Sequence, residues 1–282
     1  MTDFENLQQP YFIGEIGINH NGDLGIAKKL IDAVNACNWD CAKFQKRNPE
    51  KAVPEDQKNV PRDTPWGRMT YLEYKYKVEF EKSEYDLIDQ YCRAKPVEWS
   101  ASVWDMDSLE FMLKYDVPFL KIPSAMLTRS ELVAAAAASG KQLIVSTGMS
   151  QLEEVDSAIN LIMAKGRKPV IMHTNSSYPT PRAELNLSLI PFLADRYGCT
   201  VGYSGHEMDL EPTVIAVSLG ATVIERHITL SHEMWGTDQK ASLEVLGMDA
   251  LRKRCQDIAL MIGKPKKYVT PSEVEVRRKL RG

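Results

Sequence analysis

Short apolar runs alternate with longer stretches of helical period along most of the chain. The runs fall at residues 11–18, 41–44, 98–103, 119–122, 142–146, 170–173, 200–203 and 222–228. Between them, apolar residues recur at helical spacing near 24–37, 83–94, 105–115, 130–139, 152–164, 187–196, 211–219 and 247–262. The pattern predicts eight strands, each followed by a helix. The strand runs are continuously apolar rather than alternating. That suits a sheet covered on both faces, and such sheets are parallel. Eight βα units in about 260 residues predict an α/β fold, a (β/α)8 TIM barrel in one domain, with an open doubly wound sheet as the alternative.

Local punctuation refines this picture. Gly140 and Gly166 follow helical runs as C-terminal glycines. Ser150 is placed to cap the helix that follows it, with Glu153 three residues on completing a capping box. The stretch 46–82 is too long for a simple βα turn. It carries Pro54, Pro61, Pro65 and a Tyr71, Tyr74, Tyr76 cluster, which predicts a lid or substrate loop; a surface excursion packed by its own aromatics is the alternative. The barrel is expected to span residues 1–265, and the basic segment 266–282 to form a tail, linker or surface helix.

Composition removes several function classes. A net charge of -3 offers no basic field for nucleic acid or membrane surfaces. No apolar run approaches the roughly 20 residues of a membrane span, and residues 1–10 lack a signal-peptide pattern. The five cysteines, an odd number without a CxxC pair, read as packing residues in a reducing, cytoplasmic setting.

The polar residues of the predicted strands gather at their C-terminal ends, where barrels of this type build active sites. Those ends hold Glu15, Lys43, Gln45, Ser102, Lys121, Ser124, Ser146, His173, Ser176, Ser204, His206, Glu225 and His227. Burying uncompensated charge costs several kcal/mol, so such a concentration has a reason. Lys43 and Lys121, with the hydroxyls of Ser102, Ser124, Ser146, Ser176 and Ser204, make a cradle for phosphate and carboxylate. The alternative is that each lysine pairs with a buried glutamate. His206 and His227 end neighbouring strands, roughly 4.8 Å apart, and can share one metal with open coordination sites. Glu15 and Asp238 are candidates for acid–base work or sugar hydroxyls.

Eight segments, taken together and in order, resemble the N-acetylneuraminate (sialic acid) synthase family. They are 15–23 (EIGINHNGD), 42–46 (AKFQK), 120–124 (LKIPS), 146–149 (STGM), 177–181 (SYPTP), 202–206 (GYSGH), 225–229 (ERHIT) and 236–244 (GTDQKASLE). The resemblance implies a transferase that joins phosphoenolpyruvate to an N-acetylmannosamine-like aldose, with water attack at C2 and release of phosphate. It implies that His206 and His227 hold Mn²⁺ or Mg²⁺, and that Lys43, Ser102, Lys121, Ser124, Ser146, Ser176 and Ser204 hold phosphoenolpyruvate. Glu15, Gln45, Tyr178 and Asp238 would face the sugar. By the same analogy the chain is expected to be a homodimer.

Two departures bear on the acceptor. Ala125-Met126 stands where many members carry Gly-Glu or Gly-Asp. The antifreeze-like domain that usually follows the barrel is not expected, which implies either a different acceptor or a separate protein that supplies its contacts. A synthase of keto-deoxy sugar phosphates, using Arg182 and the basic tail, and a non-catalytic barrel subunit are the competing expectations.

Overall fold

The computed structural model describes residues 2–282. Ten strands form: β1 (Tyr11–Gly17), β2 (Cys41–Lys46), β3 (Pro61–Thr64), β4 (Gly67–Thr70), β5 (Glu98–Val103), β6 (Leu120–Ile122), β7 (Leu143–Ser146), β8 (Val170–Thr174), β9 (Val201–Gly205) and β10 (Val223–His227). Eight of them close a parallel barrel in the order β1-β10-β9-β8-β7-β6-β5-β2. β3 and β4 pair separately as an antiparallel hairpin. The eight-unit barrel expected from the apolar periodicity is therefore the fold.

Alternation within each strand divides the barrel interior into two levels. Side chains two apart share a face. Near the strand starts, Ile13, Cys41, Phe119, Ile144, Val170 and Val223 belong to one buried apolar cluster. Two residues further along most of these strands, the same face carries Glu15, Lys43, Lys121, Ser146 and Glu225, all buried. The outward faces, such as Phe12, Ala42, Phe44 and Ile224, pack under the surrounding helices. The apolar lower level excludes water from beneath the polar upper one.

Phe4 seals the lower end. It is buried and meets Tyr11 and Phe119 edge-on at 5.1 Å and 5.9 Å. Phe4→Leu is expected to cost about 1.5 kcal/mol of stability, from lost aromatic contacts and imperfect filling. A urea denaturation midpoint identical to that of the unaltered chain would show that this end needs no seal.

Three local expectations are corrected. The helix Leu152–Met163 is capped by Gln151, not Ser150, with Glu154 closing the box one residue later than expected. Gln151 already has extended backbone, whereas the Ser150 hydroxyl turns back to Gly148 O at 3.3 Å. The helix expected over 247–262 is two, Val245–Gln256 and Ile258–Ile262, because Asp257 (φ -101°, ψ 2°) leaves helical geometry. Within 46–82 the chain builds a short helix Pro49–Ala52, the β3–β4 hairpin and a helix Tyr71–Val78 with a Thr70–Glu73 capping box. This insertion packs through Tyr74 onto Trp235 of the loop after β10, at 5.3 Å. It therefore leans over the barrel mouth. The segment 266–282 contains an exposed helix, Pro271–Arg281, with no buried residue. Among the described residues no helix is long and apolar enough to cross a membrane.

Candidate active site

A cleft of about 200 Å³ opens where the strand tips converge. Of the thirteen residues assigned above to phosphoenolpyruvate, the sugar or the metal, Asp238 alone does not line it; His173, also named at a strand end, lies outside it too. Strand register explains the gathering. Glu15 lies beside Lys43 of β2 and beside His227 of β10; Gln45 lies beside Ser102; Ser102 lies beside Lys121; Ser204 lies beside both Thr174 and Glu225.

Both lysines pair with buried glutamates, the alternative weighed above. Lys43 is ion-paired with Glu15. Lys121 Nζ is 2.8 Å from Glu225 Oε2, and Lys43 Nζ is 3.6 Å from the same oxygen. Ser204 donates to Glu225 Oε1 at 3.1 Å. Burial alone would raise the Glu225 pKa, but Lys121 and Lys43 outweigh it and hold the carboxyl at about 2. Burial pulls the Lys121 ammonium below its usual value against the pull of Glu225. Burial pushes Glu15 upward although Lys43 opposes it, since Glu225 adds its own negative charge. Glu15 is thus the more easily neutralised carboxyl of the four-charge cluster. Glu15 also accepts from Gln45 Nε2 at 3.0 Å. The following Gly17 sits at φ +55° in a β-bulge, where a Cβ would lie 3.2 Å from Gln45 Nε2 and 3.3 Å from His227 Cε1.

Opposite the lysines, backbone and hydroxyl donors converge. Gly148 N donates to Ser124 Oγ at 3.1 Å. A Cβ on Gly148 would come within 2.3 Å of Ser176 Oγ and 2.9 Å of Ser124 Oγ, so the two hydroxyls meet over this glycine.

His206 and His227 have ring centroids 5.5 Å apart. The Tyr178 hydroxyl stands 2.8 Å from His206 Nε2 and 3.5 Å from His227 Nε2, so both nitrogens face one point. His206 Nδ1 lies 2.6 Å from Asn175 O and must donate to that carbonyl, which leaves Nε2 with its lone pair. Burial and the neighbouring His227 lower the His206 pKa to about 4, and burial lowers that of His227. Neutral imidazoles whose Nε2 atoms face one point fit a divalent ion when each carries its proton on Nδ1, as the Asn175 carbonyl already requires of His206. Among the described residues no group of three His, Cys, Asp or Glu side chains forms a closed metal site. The donor set therefore suits an ion that keeps positions for water or substrate.

The other histidines serve elsewhere. His20 stacks on Phe80 at 4.0 Å, and His173 Nε2 meets Leu185 O at 2.7 Å. His232 Nε2 meets Ser242 O at 2.8 Å. Asp238 accepts from Thr237 Oγ1 at 2.6 Å at the rim. A wider hollow of about 760 Å³ adjoins the cleft, but its titratable lining is only His173 and Glu184. The lysines, the two glutamates and the paired histidines line the narrower cleft instead. Glu225 was named at a strand tip but not as a site residue. Its two-residue spacing from His227 was the signal, since it puts both on the inward face.

The family model described as NeuB matches residues 30–267. The chain belongs to the NeuB family. An N-acetylneuraminate-9-phosphate synthase of Drosophila melanogaster is 37% identical over 246 residues, covering 86% of this chain and 66% of the fly protein. The Homo sapiens protein of the same name is 32% identical, covering 97% of this chain and 77% of its own length. The chain thus spans about two thirds to three quarters of these relatives. A crystal structure of N-acetylneuraminic acid (sialic acid) synthetase from Leptospira borgpetersenii serovar Hardjo-bovis, in complex with citrate, superimposes with a TM-score of 0.86 at 29% identity. It covers 97% of this chain and 93% of that one. In this NeuB-family chain, every segment quoted for the resemblance except 236–244 contributes at least one side chain to the cleft.

Proposed function

We propose that the chain is a nonulosonic acid synthase that condenses phosphoenolpyruvate with an N-acylated aminosugar aldehyde, with help from a divalent metal such as Mn²⁺ or Mg²⁺. The observation that carries this reading is the junction, within one cleft, of a lysine–hydroxyl cradle and two imidazoles whose Nε2 atoms face one point, at the Tyr178 hydroxyl. The names of the fly, human and leptospiral relatives agree with it.

Lys43, Lys121 and the hydroxyls of Ser102, Ser124, Ser146, Ser176 and Ser204 hold the carboxylate and phosphate of phosphoenolpyruvate. Glu15 and Glu225 stand beside Lys43 and Lys121 as their counter-charges. His206 and His227 would hold the metal, which supplies polarisation of the aldehyde oxygen when bound. Gln45 and Tyr178 line the sugar side, and Asp238 guards its rim. C3 of phosphoenolpyruvate bonds to the aldehyde carbon, and water adds at C2. The C2–O bond to phosphate then breaks, so the products are the 2-keto-3-deoxy acid and inorganic phosphate.

The direct test is phosphate release from phosphoenolpyruvate in the presence of Mn²⁺ and N-acetylmannosamine or its 6-phosphate, with the product identified by mass. No release with either sugar would favour a non-catalytic barrel. Gly148→Ala is expected to raise the phosphoenolpyruvate KM about tenfold, because it parts Ser124 from Ser176 and costs roughly one charge-assisted hydrogen bond. An unchanged KM would remove those hydroxyls from the cradle.

A further inference from the structure

A second buried ion pair lies directly behind the two imidazoles, on the outward side of the barrel wall. Arg226 precedes His227 on β10, and Glu207 follows His206 just past β9; they are 0% and 1% exposed. The Glu207 carboxylate folds back over Gly205, where a Cβ would lie 2.5 Å and 2.7 Å from its two oxygens. It accepts from the Tyr203 hydroxyl at 2.8 Å and from Thr213 Oγ1 at 3.2 Å, and stands 3.0 Å from Arg226 Nη1. Arg226 reaches further. Its Nη1 donates to Asp209 O at 3.1 Å and to Thr213 Oγ1 at 3.0 Å, and its Nη2 donates to Glu207 O.

Stability alone does not call for such a pair. Neutral groups of similar volume in place of a buried ion pair are often as stable or more so. What the pair does supply is a tie between two strand tips. The ladder between β9 and β10 ends at Arg226 and Gly205, one residue short of both imidazoles. On its other side β10 stays paired with β1 through His227 itself. The β9 side is therefore the open one, and there the Arg226 guanidinium grips the carbonyls of Glu207 and Asp209 in place of a ladder. The need is greatest for His227. His206 has an orienting bond from Nδ1 to Asn175 O at 2.6 Å, whereas His227 Nδ1 is buried without a partner. The placement of one Nε2 against the other depends on how the tip of β10 is held to the chain after β9.

We infer that Arg226 and Glu207 are positioning residues for the divalent ion: the pair holds His206 against His227 so that both Nε2 atoms meet one ion. This rests on the metal of the synthase reading above. Neither side chain lines the cleft, so the pair touches no reactant and acts only through the two histidines. Partners behind metal ligands commonly act by a direct hydrogen bond to the imidazole. Here the constraint runs through the backbone of the residues next to them.

The test titrates Mn²⁺ into the full chain without substrates and follows the free ion by electron paramagnetic resonance. The double variant Arg226→Met with Glu207→Gln removes both charges, and the new amide oxygen can still accept from Tyr203 and Thr213. Its Tm should stay near that of the unaltered chain, while its Mn²⁺ dissociation constant should rise roughly 10- to 100-fold. Arg226→Lys keeps the charge but cannot span both carbonyls, and should weaken Mn²⁺ roughly tenfold; it decides the matter if the double variant does not fold. In turnover both variants should recover kcat at high Mn²⁺, with an unchanged phosphoenolpyruvate KM. A merely structural pair would lower Tm and leave Mn²⁺ affinity alone. Equal Mn²⁺ affinity in the unaltered chain and the folded variants would overturn the positioning role and leave the synthase reading intact. Weaker Mn²⁺ binding without phosphate release from any of the chains would uphold the positioning role and reject the synthase. An unaltered chain that binds no Mn²⁺ would reject the metal and the positioning role together.

Discussion

His227→Ala is expected to lower kcat/KM at least about 10³-fold in saturating Mn²⁺. Only two imidazoles face the proposed metal position, and among the described residues no third His, Cys, Asp or Glu completes a closed set. Removing one leaves a single nitrogen donor, too few to hold an ion against water. Polarisation of a carbonyl by a metal is worth several kcal/mol, and about 4 kcal/mol corresponds to 10³ in rate. Chelation of the unaltered chain should cause the same loss and Mn²⁺ should restore it, whereas the variant should not recover. The fold should survive, because His227 Nδ1 has no hydrogen-bond partner to forfeit. Full activity after chelation would dismiss the metal.

Lys121→Met is expected to lose both stability and phosphoenolpyruvate binding. It strands Glu225, which is buried and then keeps only Ser204 at 3.1 Å and Lys43 at 3.6 Å. Breaking one side of a buried pair costs about 3 kcal/mol, or roughly 6–12 °C in Tm for a chain of this size. Adding Glu225→Leu removes the stranded charge and should recover most of that Tm. Phosphoenolpyruvate affinity should not return, since the ammonium is still missing. A single variant as stable as the unaltered chain would show that the pair is not structural. A double variant with normal phosphoenolpyruvate affinity would show that Lys121 does not bind it.

The barrel was legible because each strand is buried on both faces and each helix on one, so two periodicities mark the chain without help from tertiary contacts. The polar upper level was legible for a related reason: Lys43, Lys121 and Glu225 interrupt apolar runs that have no other use for charge. The β3–β4 hairpin was not. Pro61–Thr64 and Gly67–Thr70 are polar, and their pairing depends on packing over the mouth. For the same reason the spacing of Arg47, Arg62 and Lys75 follows no period, and only the folded chain sets them against Trp104, Tyr71 and Tyr74. Arg226 shows the converse. It is as buried as any group in the cleft, yet it faces outward and is matched by Glu207 at 3.0 Å. Charge within a strand meets the reactants only on the inward face.

The most direct measurement is a crystal structure of the chain soaked with phosphoenolpyruvate and Mn²⁺, with anomalous data collected at the manganese edge. The account predicts one peak bonded to Nε2 of both His206 and His227. It also predicts an enol phosphate on the Lys43 and Lys121 side of the same cleft. A manganese peak elsewhere, or phosphoenolpyruvate bound away from those two lysines, would contradict it.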